Sequence, residues 1–434
     1  YPDGQDEYPV TGVSWYEAAA YARYRGKALP TIYHWVIAAL PANEVPSSLA
    51  ALIVPLSNFA SNGPSRVGSH QALGPYGTYD MQGNVSEWCW NEGRDPSRST
   101  GRYAVGGAWD EPHYFYNAAL VFSPLDRSKT RGFRLMKEIR EEPGVGRLRE
   151  PVVLLRGRTA GGPVPTPVFE AYREQFAYVS GRLNASPVTT VETTPYWTKE
   201  RVTVDAGYGN ERVTLYLFVP HGGRRPFQPV IYFPGSDSFL VKTSSEGVQP
   251  GLRAVPLDYV VKSGRVLVFP IYQGSHERWT PLDFSDRVAY SRKVVEWRWD
   301  MGRTLDYLQT RGDMDVSRAG YIGISFGASY ALPLLHAESR LKAAVLLSGG
   351  LPNRDVPPVT NPINYLPRIT IPVLMVNGRY DSLLPFETSQ KPLFNLLGSS
   401  DKNHVLAESG HAPPRDVVLK ETLAWLDKYL GPAR

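Results

Sequence analysis

The residues best suited to chemistry in this chain are a serine and the glycines that flank it. The sequence GISFG at 323–327 places Ser325 between a strand-like apolar run and a helix-like run at 328–335. A nucleophilic serine on a sharp strand-to-helix turn needs neighbours that are nearly free of side chains, and Gly323 and Gly327 provide that room. The alternative is a glycine-rich turn with an incidental serine, because a pentapeptide alone is only a hypothesis. We predict that Ser325 is the nucleophile of an acyl-transfer reaction.

Two later strand-like runs end in the residues that such a serine needs. An apolar run from Thr370 ends in G-x-x-D at Asp381, and a short run from Asn403 ends in Gly-His at His411. His411 would take the proton of Ser325 and return it to the leaving group, while Asp381 would fix the His411 tautomer. The alternatives are a turn or cap role for Asp381 and a surface loop for His411. Their joint occurrence after the GxSxG sequence predicts a Ser-His-Asp triad.

An oxyanion hole needs two backbone N–H donors, and the sequence offers candidates for both. The residue after the nucleophile, Phe326, is expected to supply one. The loop after the strand-like run 228–233 contains a Pro-Gly turn followed by Ser236 and Asp237. We predict the N–H of Ser236 as the second donor, with Asp237 as the alternative. An ordinary Pro-Gly loop is the remaining interpretation.

The segment 271–279 follows another buried strand-like run and should line the substrate pocket. Its mixture of polar and aromatic residues indicates a small, moderately polar acyl ester as the substrate. The predicted substrate-binding residues are Asp237, Tyr272, Gln273 and His276.

Composition narrows the classes of function. The 434 residues are 42% hydrophobic and 21% charged, as in globular proteins, and a chain of this length is expected to form two or three domains. The net charge is only +5, without a Lys/Arg-rich block, so we expect no nucleic-acid partner. No apolar run approaches the ~20 residues that cross a bilayer and no signal peptide opens the chain, so we expect a cytoplasmic protein without a membrane partner. The single cysteine, Cys89, excludes an internal disulfide.

The pattern along the chain predicts two domains and a linker. Residues 1–137 are rich in Gly, Trp, Tyr and Asn, and Ser14 with Glu17 forms a capping box before a helix. Residues 138–167 are rich in Pro, Gly, Glu and Arg, which is typical of a linker. In the second domain, residues 168–434, a helix is predicted over 169–183. From Thr194 onward strands alternate with helices, one of them predicted over 297–310, which predicts an α/β fold with a mostly parallel sheet covered on both faces. Since the chain begins with tyrosine, it is expected to be a processed or truncated piece of something longer, and the oligomeric state is not predicted.

About 240 residues of the carboxyl-terminal part resemble the α/β-hydrolase superfamily, whose triad follows the order Ser325, Asp381, His411. Within the superfamily, the sequences at 296–300, 323–327 and 378–381 look most like acetyl-xylan esterases and prolyl-oligopeptidases. The resemblance implies the α/β-hydrolase fold and an acyl-enzyme intermediate, with no cofactor required.

Five motifs of the amino-terminal part occur in a fixed order: PVTGVSW at 9–15, GKALPT at 26–31, YDMQGNVSEW at 79–88, GGAW at 106–109 and RGFRL at 131–135. In order and spacing they are similar to the formylglycine-generating-enzyme-like, sulfatase-modifying domains, whose mixed α+β fold is C-type-lectin-like. The resemblance implies two copper-holding cysteines after the Gly-Gly-x-Trp motif, but residues 110–116 contain none and Cys89 lies elsewhere.

The related iron-binding branch would need clustered ligands, whereas His34, His70 and His113 are scattered. We therefore predict that this domain is catalytically silent and serves the hydrolase as a scaffold near the mouth of its site.

The same resemblance implies a calcium site in the loop 80–87. Its ligands would be the carboxylates of Asp80 and Glu87 and the backbone oxygens of Gly83 and Val85, since hard oxygen ligands suit Ca²⁺. The alternative is that the two carboxylates only cap and brace a Gly-Asn turn.

Together these observations predict a serine carboxylic-ester hydrolase that acts on a small-molecule ester. A serine peptidase of the prolyl-oligopeptidase type is an alternative, although that family normally carries a β-propeller and no blade-length repeat occurs here. A partner-binding protein, with the amino-terminal domain as its recognition module, is the other alternative.

Overall fold

The computed structural model describes residues 4–40, 53–93, 101–111, 115–116, 119–139, 144–152, 161–239, 242–244, 248–251, 255–352, 354–381 and 383–433. The chain divides into two compact units. The first unit comprises Tyr1–Arg156 together with two short segments, Arg379–Pro385 and Glu408–His411. The second unit comprises Gly157–Gly378, Phe386–Ala407 and Ala412–Arg434. The first unit is therefore discontinuous in the sequence, and its boundary with the second falls within the predicted linker.

Of the stretch 110–116, residues 112–114, and with them His113, lie outside the described residues.

A small mixed sheet with a helix on each face forms the core of the first unit. The helices are α1 (Trp15–Tyr24) and α2 (Ile32–Ala39), and the strands are β1 (Ser86–Gly93), β2 (Gly101–Val105), β3 (Ala119–Phe122) and β4 (Arg131–Gly132). The strand order is β3-β2-β1-β4, with β1 parallel only to β4. Alternation along β1 places Trp88 in the cluster with α1 and Cys89 in the cluster with α2. This architecture confirms the predicted mixed α+β fold.

The start of α1 is capped as its sequence predicts. The Ser14 hydroxyl accepts from the N–H of Glu17, and the Glu17 carboxylate accepts from the N–H of Ser14 over 2.8 Å. This capping box satisfies two N–H groups that no helical carbonyl can reach.

A nine-stranded sheet organises the second unit. In chain order its strands are β5 (Thr189–Thr193), β6 (Trp197–Asp205), β7 (Arg212–Pro220), β8 (Pro229–Phe233), β9 (Val266–Pro270), β10 (Ala319–Ile324), β11 (Leu341–Leu347), β12 (Val373–Gly378) and β13 (Lys402–Ala407). The order across the sheet is β13-β12-β11-β10-β8-β9-β7-β6-β5. The first six strands in this order, from β13 across to β9, are parallel to one another. The remaining three strands are each antiparallel to the strand before them: β7 to β9, β6 to β7 and β5 to β6.

Helices cover both faces of this sheet. They are α3 (Thr166–Glu174), α4 (Asp258–Lys262), α5 (Arg287–Thr310), α6 (Leu332–Ala337), α7 (Lys391–Leu396) and α8 (Arg415–Leu430). One core contains residues of α5 and α6, and the other contains residues of α4 and α8. The consecutive apolar residues of β8 to β12 are buried because both of their faces are covered. The structure confirms the predicted α/β-hydrolase fold.

Three helix predictions differ from the structure in their bounds. The helix predicted from Trp297 begins ten residues earlier, because the Asp286 carboxylate accepts the N–H of Ala289 and caps a longer helix. The helix predicted over 169–183 ends at Glu174, and the following segment is held by bonds of its side chains to Asp306. The helix predicted directly after Ser325 begins at Leu332, after a series of tight turns.

Candidate active site

Ser325 lies on a strained turn directly after β10. Its φ is +49°, in the left-handed region that residues other than glycine seldom adopt. The Ser325 N–H donates to the carbonyl of Leu347 over 2.8 Å, so β11 holds the turn, and the Ser325 carbonyl accepts from Ala328 over 3.1 Å. Strain of this kind persists only where the surrounding structure enforces it, and it is concentrated at functional sites. A strained turn that directly follows a buried strand is the geometry that a nucleophile elbow requires.

The two glycines of the GISFG sequence are required by close backbone contacts. A Cβ atom on Gly323 would lie 2.6 Å from the carbonyl oxygen of Gly327, and one on Gly327 would collide with the carbonyl of Phe233. The Tyr321 hydroxyl donates to the same Gly327 carbonyl over 2.7 Å. The elbow is thus packed backbone to backbone against the end of β8, which leaves no space for side chains at these positions.

The two predicted oxyanion donors are on segments that a hydrogen bond joins. The N–H of Gly327 donates to the carbonyl of Pro234 over 3.1 Å, which ties the elbow to the loop after β8. In that loop, Ser236 opens a short 3-10 helix, Ser236–Phe239. The Phe326 ring is buried and stacks on Tyr330 with 4.6 Å between the ring centroids. This packing fixes the backbone of Phe326, while the role of the two N–H groups stays a prediction.

Asp381 and His411 form a hydrogen-bonded pair. The Oδ2 of Asp381 lies 2.8 Å from the Nδ1 of His411, and the Asp381 side chain is completely buried. The other carboxylate oxygen, Oδ1, accepts the N–H groups of Leu383 and Leu384 over 2.9 and 3.1 Å. Those two N–H groups orient the carboxylate, and the carboxylate in turn selects the His411 tautomer that carries its proton on Nδ1.

Of the two predicted substrate residues that follow β9 most closely, Tyr272 is a core residue and Gln273 is half-buried. Tyr272 is fully buried and stacks on Phe233 with a centroid distance of 4.1 Å, so the expectation that it lines an open pocket is wrong. Gln273 is fixed through its backbone, since its N–H donates to Asp300 over 2.9 Å and its carbonyl accepts from Trp297 over 2.8 Å. The Gln273 side chain is half-buried, and its role in substrate binding stays a prediction.

The other two predicted substrate residues are placed differently. Asp237 as a whole residue is exposed, but its carboxylate is partly buried. This burial raises the pKa of the carboxylate, whereas the nearby His276 lowers it. His276 is 4% exposed and has a φ of +49°. Its Nδ1 lies 3.1 Å from the carbonyl oxygen of Thr243, whereas its Nε2 is buried and has no hydrogen-bond partner among the described residues. The backbone strain and the unsatisfied nitrogen mark His276 as an unusual residue, and its role in substrate binding stays a prediction.

A buried ion pair that the sequence analysis missed anchors the loop after β9. The Arg278 guanidinium lies 2.7 Å from the fully buried Asp300 and also donates to the carbonyl of Ile271 over 3.0 Å. Glu211 accepts a further bond from Arg278 over 2.8 Å. Burial raises the pKa of Asp300. The signal in the sequence was the alternation of charged residues with tryptophans in Glu-Trp-Arg-Trp-Asp at 296–300, since a charged residue is unexpected on a buried helix without a partner.

The loop 80–87 as arranged does not fit a calcium ion. Both carboxylate oxygens of Glu87 accept from the Arg134 guanidinium, at 2.5 and 2.6 Å, and one also accepts from Trp35. The Asp80 carboxylate accepts the N–H of Gly68 over 2.7 Å. A guanidinium cation therefore already neutralises the carboxylate that would bind the metal. This arrangement favours the alternative in which Asp80 and Glu87 brace the turn.

Other features of the described residues bear on metals and membranes. They contain no group of three or more His, Cys, Asp or Glu side chains that could hold a metal ion. Within the same residues, every helix is too short or too polar to cross a membrane. Cys89 is fully buried, and this burial raises the pKa of its thiol. It packs as a small apolar residue in the cluster beside α2.

Comparison with known proteins identifies the amino-terminal domain. Residues 2–139 match the model of the sulfatase-modifying factor enzyme 1-like domain, so this part of the chain carries that domain. The chain is 41% identical over 95 residues to serine/threonine-protein kinase pkn1 of Chlamydia caviae, which covers 20% of this chain and 14% of the kinase.

Other similarities concern hydrolases. The chain is 30% identical over 125 residues to Cutinase 1 of Thermobifida cellulosilytica, covering 28% of this chain and 44% of the cutinase. It thus spans less than half of each of these curated relatives. Among solved structures, acetyl xylan esterase 1 from Thermoanaerobacterium sp. JW/SL YS485 aligns with a TM-score of 0.48 and 15% identity, over 62% of this chain and 96% of the esterase.

Proposed function

We propose that this chain is a serine carboxylic-ester hydrolase in which Ser325, His411 and Asp381 act as a triad. The observation that carries the proposal is the 2.8 Å hydrogen bond between Asp381 and His411. These residues are 30 positions apart, and the sequence selected each of them independently as the end of a strand-like run after the GxSxG sequence. Their pairing uses Nδ1 of His411, which is the nitrogen that the acid of a triad engages when Nε2 serves the nucleophile.

The positions of the three residues after their strands support this assignment. Ser325 follows the last residue of β10 by one position, Asp381 follows β12 by three, and His411 follows β13 by four. These strands run parallel in one sheet. The carboxyl ends of parallel strands lie at the same edge of a sheet, which is where active sites form in open α/β folds.

In the proposed reaction, the Ser325 hydroxyl oxygen attacks the ester carbonyl carbon while its proton passes to Nε2 of His411. The resulting oxyanion accepts hydrogen bonds from the N–H groups of Phe326 and Ser236. The C–O bond to the alcohol then breaks, and His411 returns the proton to the departing oxygen. Water attacks the acyl-enzyme with His411 as base, which releases the acid and restores Ser325. Asp381 stabilises the imidazolium in both halves of the reaction.

Charge near the proposed oxyanion hole bears on the choice of substrate. Asp237 directly follows the proposed donor Ser236, so in its ionised form it places a negative charge beside the proposed oxyanion hole. A negative charge there disfavours anionic acyl groups. We therefore infer a preference for small neutral acyl esters. The similarity to Cutinase 1 supports an ester substrate in general.

A panel of p-nitrophenyl esters from acetyl to octanoyl, assayed beside peptide p-nitroanilides, tests the proposal. Ester hydrolysis with a preference for short chains is expected, and Ser325→Ala should reduce kcat by at least several thousand-fold. A fluorophosphonate should label Ser325, as seen by peptide mass spectrometry. An active Ser325→Ala variant, or labelling of another residue, would refute the nucleophile. Turnover of anilides alone would favour the peptidase alternative.

A further inference from the structure

A second pair of residues ties together the segments that carry Asp381 and His411. Tyr380, directly before the acid, donates its hydroxyl to the carboxylate of Glu408. Its backbone N–H also donates to the carbonyl of Ser409 over 2.9 Å. Glu408 lies three positions before the histidine. Two bonds of one residue thus join the two segments beside the acid–base pair.

Burial distinguishes the contribution of Tyr380 from that of the neighbouring ion pair. Arg379 lies 2.7 Å from Glu408, but both side chains are largely exposed, and such pairs contribute little. Tyr380 is 7% exposed, and its hydroxyl bonds a charged acceptor, which makes a stronger bond. Burial, with help from Glu408, raises the pKa of Tyr380 to about 12, so the hydroxyl keeps its proton at neutral pH. Of the two residues that bond Glu408 here, Tyr380 is therefore the one that is held in place by burial.

The ring of Tyr380 is held by residues from the amino-terminal part of the first unit. It shares a buried apolar cluster with Val54, Phe59 and Tyr116, which we call the Tyr380 seat. Two glycines of the amino-terminal motifs shape this seat. A Cβ atom on Gly83 would lie 3.0 Å from the Phe59 ring, and one on Gly107 would lie 2.8 Å from it. The backbone of both motifs therefore approaches Phe59 as closely as glycine allows.

We propose that Tyr380 is a positioning residue that fixes Asp381 against His411, with Glu408 as its acceptor and the Tyr380 seat as its support. The inference rests on the proposed function, since it takes Asp381 and His411 as members of the triad. Under this proposal the amino-terminal domain contributes to ester hydrolysis, because three of its side chains hold Tyr380, the residue next to Asp381. A displacement of about 1 Å in a catalytic group can cost a hundredfold in rate, so loosening the seat should lower kcat.

Single substitutions in the full chain test the proposal. Tyr380→Phe removes the hydroxyl and keeps the ring, and Phe59→Leu loosens the seat while keeping it apolar. Tyr103→Phe is the matched control, because the Tyr103 hydroxyl donates to Val152 over 3.1 Å within the same unit but in the cluster beside α2. Steady-state kinetics on the best p-nitrophenyl ester should show kcat reduced roughly tenfold to a hundredfold in Tyr380→Phe and Phe59→Leu, with KM nearly unchanged.

The control separates positioning from loss of stability. Tyr103→Phe should lower the melting temperature by a similar amount to Tyr380→Phe and leave kcat unchanged. If Tyr380→Phe keeps full kcat, or if Tyr103→Phe lowers kcat equally, the positioning role is wrong. If Tyr380→Phe is slow and Phe59→Leu is not, the seat has no part in positioning and the inference about the domain fails. Activity of Ser325→Ala would instead refute the proposed function itself.

Discussion

The two carboxylate oxygens of Asp381 have different partners: Oδ2 faces Nδ1 of His411, and Oδ1 accepts two backbone N–H groups. An asparagine at this position must turn its NH₂ group either toward His411 or toward those N–H groups. Facing the two backbone N–H groups, the NH₂ group meets donor with donor; facing His411, it does the same unless the histidine moves its proton from Nδ1 to Nε2. We expect Asp381→Asn to lower kcat on the best ester by about four orders of magnitude, the scale seen when a triad acid is amidated.

Nearby carboxylates provide the comparison for that measurement. Asp401→Asn changes an exposed residue and should leave kcat unaffected. Glu408→Gln keeps an acceptor for Tyr380, so it should be much milder than Asp381→Asn. A larger loss in Glu408→Gln than in Asp381→Asn would show that the acid is misassigned.

The elbow should not tolerate a methyl group at Gly327. A Cβ atom there would collide with the carbonyl of Phe233, so the backbone of Ser325 must shift. We expect Gly327→Ala to cost about 1–3 kcal/mol of stability and to abolish ester turnover. Gly312→Ala is the control, because a Cβ on Gly312 meets no atom within 4 Å. Unfolding curves and kcat of both variants decide the matter, and an active Gly327→Ala variant would contradict the elbow geometry.

The buried pair of Arg278 and Asp300 should matter far more than a surface pair. Asp300→Asn leaves a buried guanidinium short of negative charge, and we expect a loss of about 3 kcal/mol in the free energy of unfolding. Arg287 and Asp355 form an exposed pair at 2.9 Å, so Asp355→Asn should cost less than about 1 kcal/mol. Denaturant titration of both variants measures the difference. Equal losses would show that the Arg278 pair is not the anchor of its loop.

Stability should depend on pH through Glu296. Partial burial and the neighbouring Asp300 and Glu211 raise the pKa of Glu296 from 4.5 to about 7. The folded state then binds more protons than the unfolded state between these values, so its stability falls as the pH rises from about 4.5 to 7. Glu296→Gln removes this loss, and its melting temperature relative to wild type should increase between pH 5 and pH 8. Glu174→Gln at the end of α3 serves as the exposed control. A pH-independent difference for Glu296→Gln would contradict the shift.

The amino-terminal domain is predicted to be silent as an oxidase. Its only thiol, Cys89, is fully buried with its pKa raised, whereas thiolate ligands must be deprotonated to hold copper. Purified protein with copper and a cysteine-containing sulfatase peptide should yield no formylglycine by mass spectrometry, with an active formylglycine-generating enzyme as the positive control. Conversion of the peptide would overturn this prediction.

Sequence reasoning performed best where local chemistry constrains the backbone. The glycines around Ser325 and the strand ends before Asp381 and His411 carry position-specific signals, and the structure places the acid beside the histidine. It was less successful for Tyr272, because a mixed polar and aromatic loop does not reveal which side chains turn inward. The core around Phe233 decides that, through contacts between residues distant in the sequence.

The discontinuity of the first unit was also beyond the reach of the sequence. Composition changes near residue 138 suggested a boundary there, whereas Tyr380 joins a cluster with Val54 from the other end of the chain. No local pattern records such a pairing, since a buried tyrosine after a strand has the same sequence signature whatever covers it.

That discontinuity also constrains how the protein is made. Arg379–Pro385 leaves the ribosome only after the whole of Gly157–Gly378 has been synthesised, which takes roughly 10 to 40 s at ordinary translation rates. Until then Val54, Phe59 and Tyr116 lack the tyrosine that completes their cluster. These apolar side chains of the nascent amino-terminal domain therefore stay uncovered during that time. The domain should depend on chaperones during translation more than a domain whose core is contiguous in the sequence.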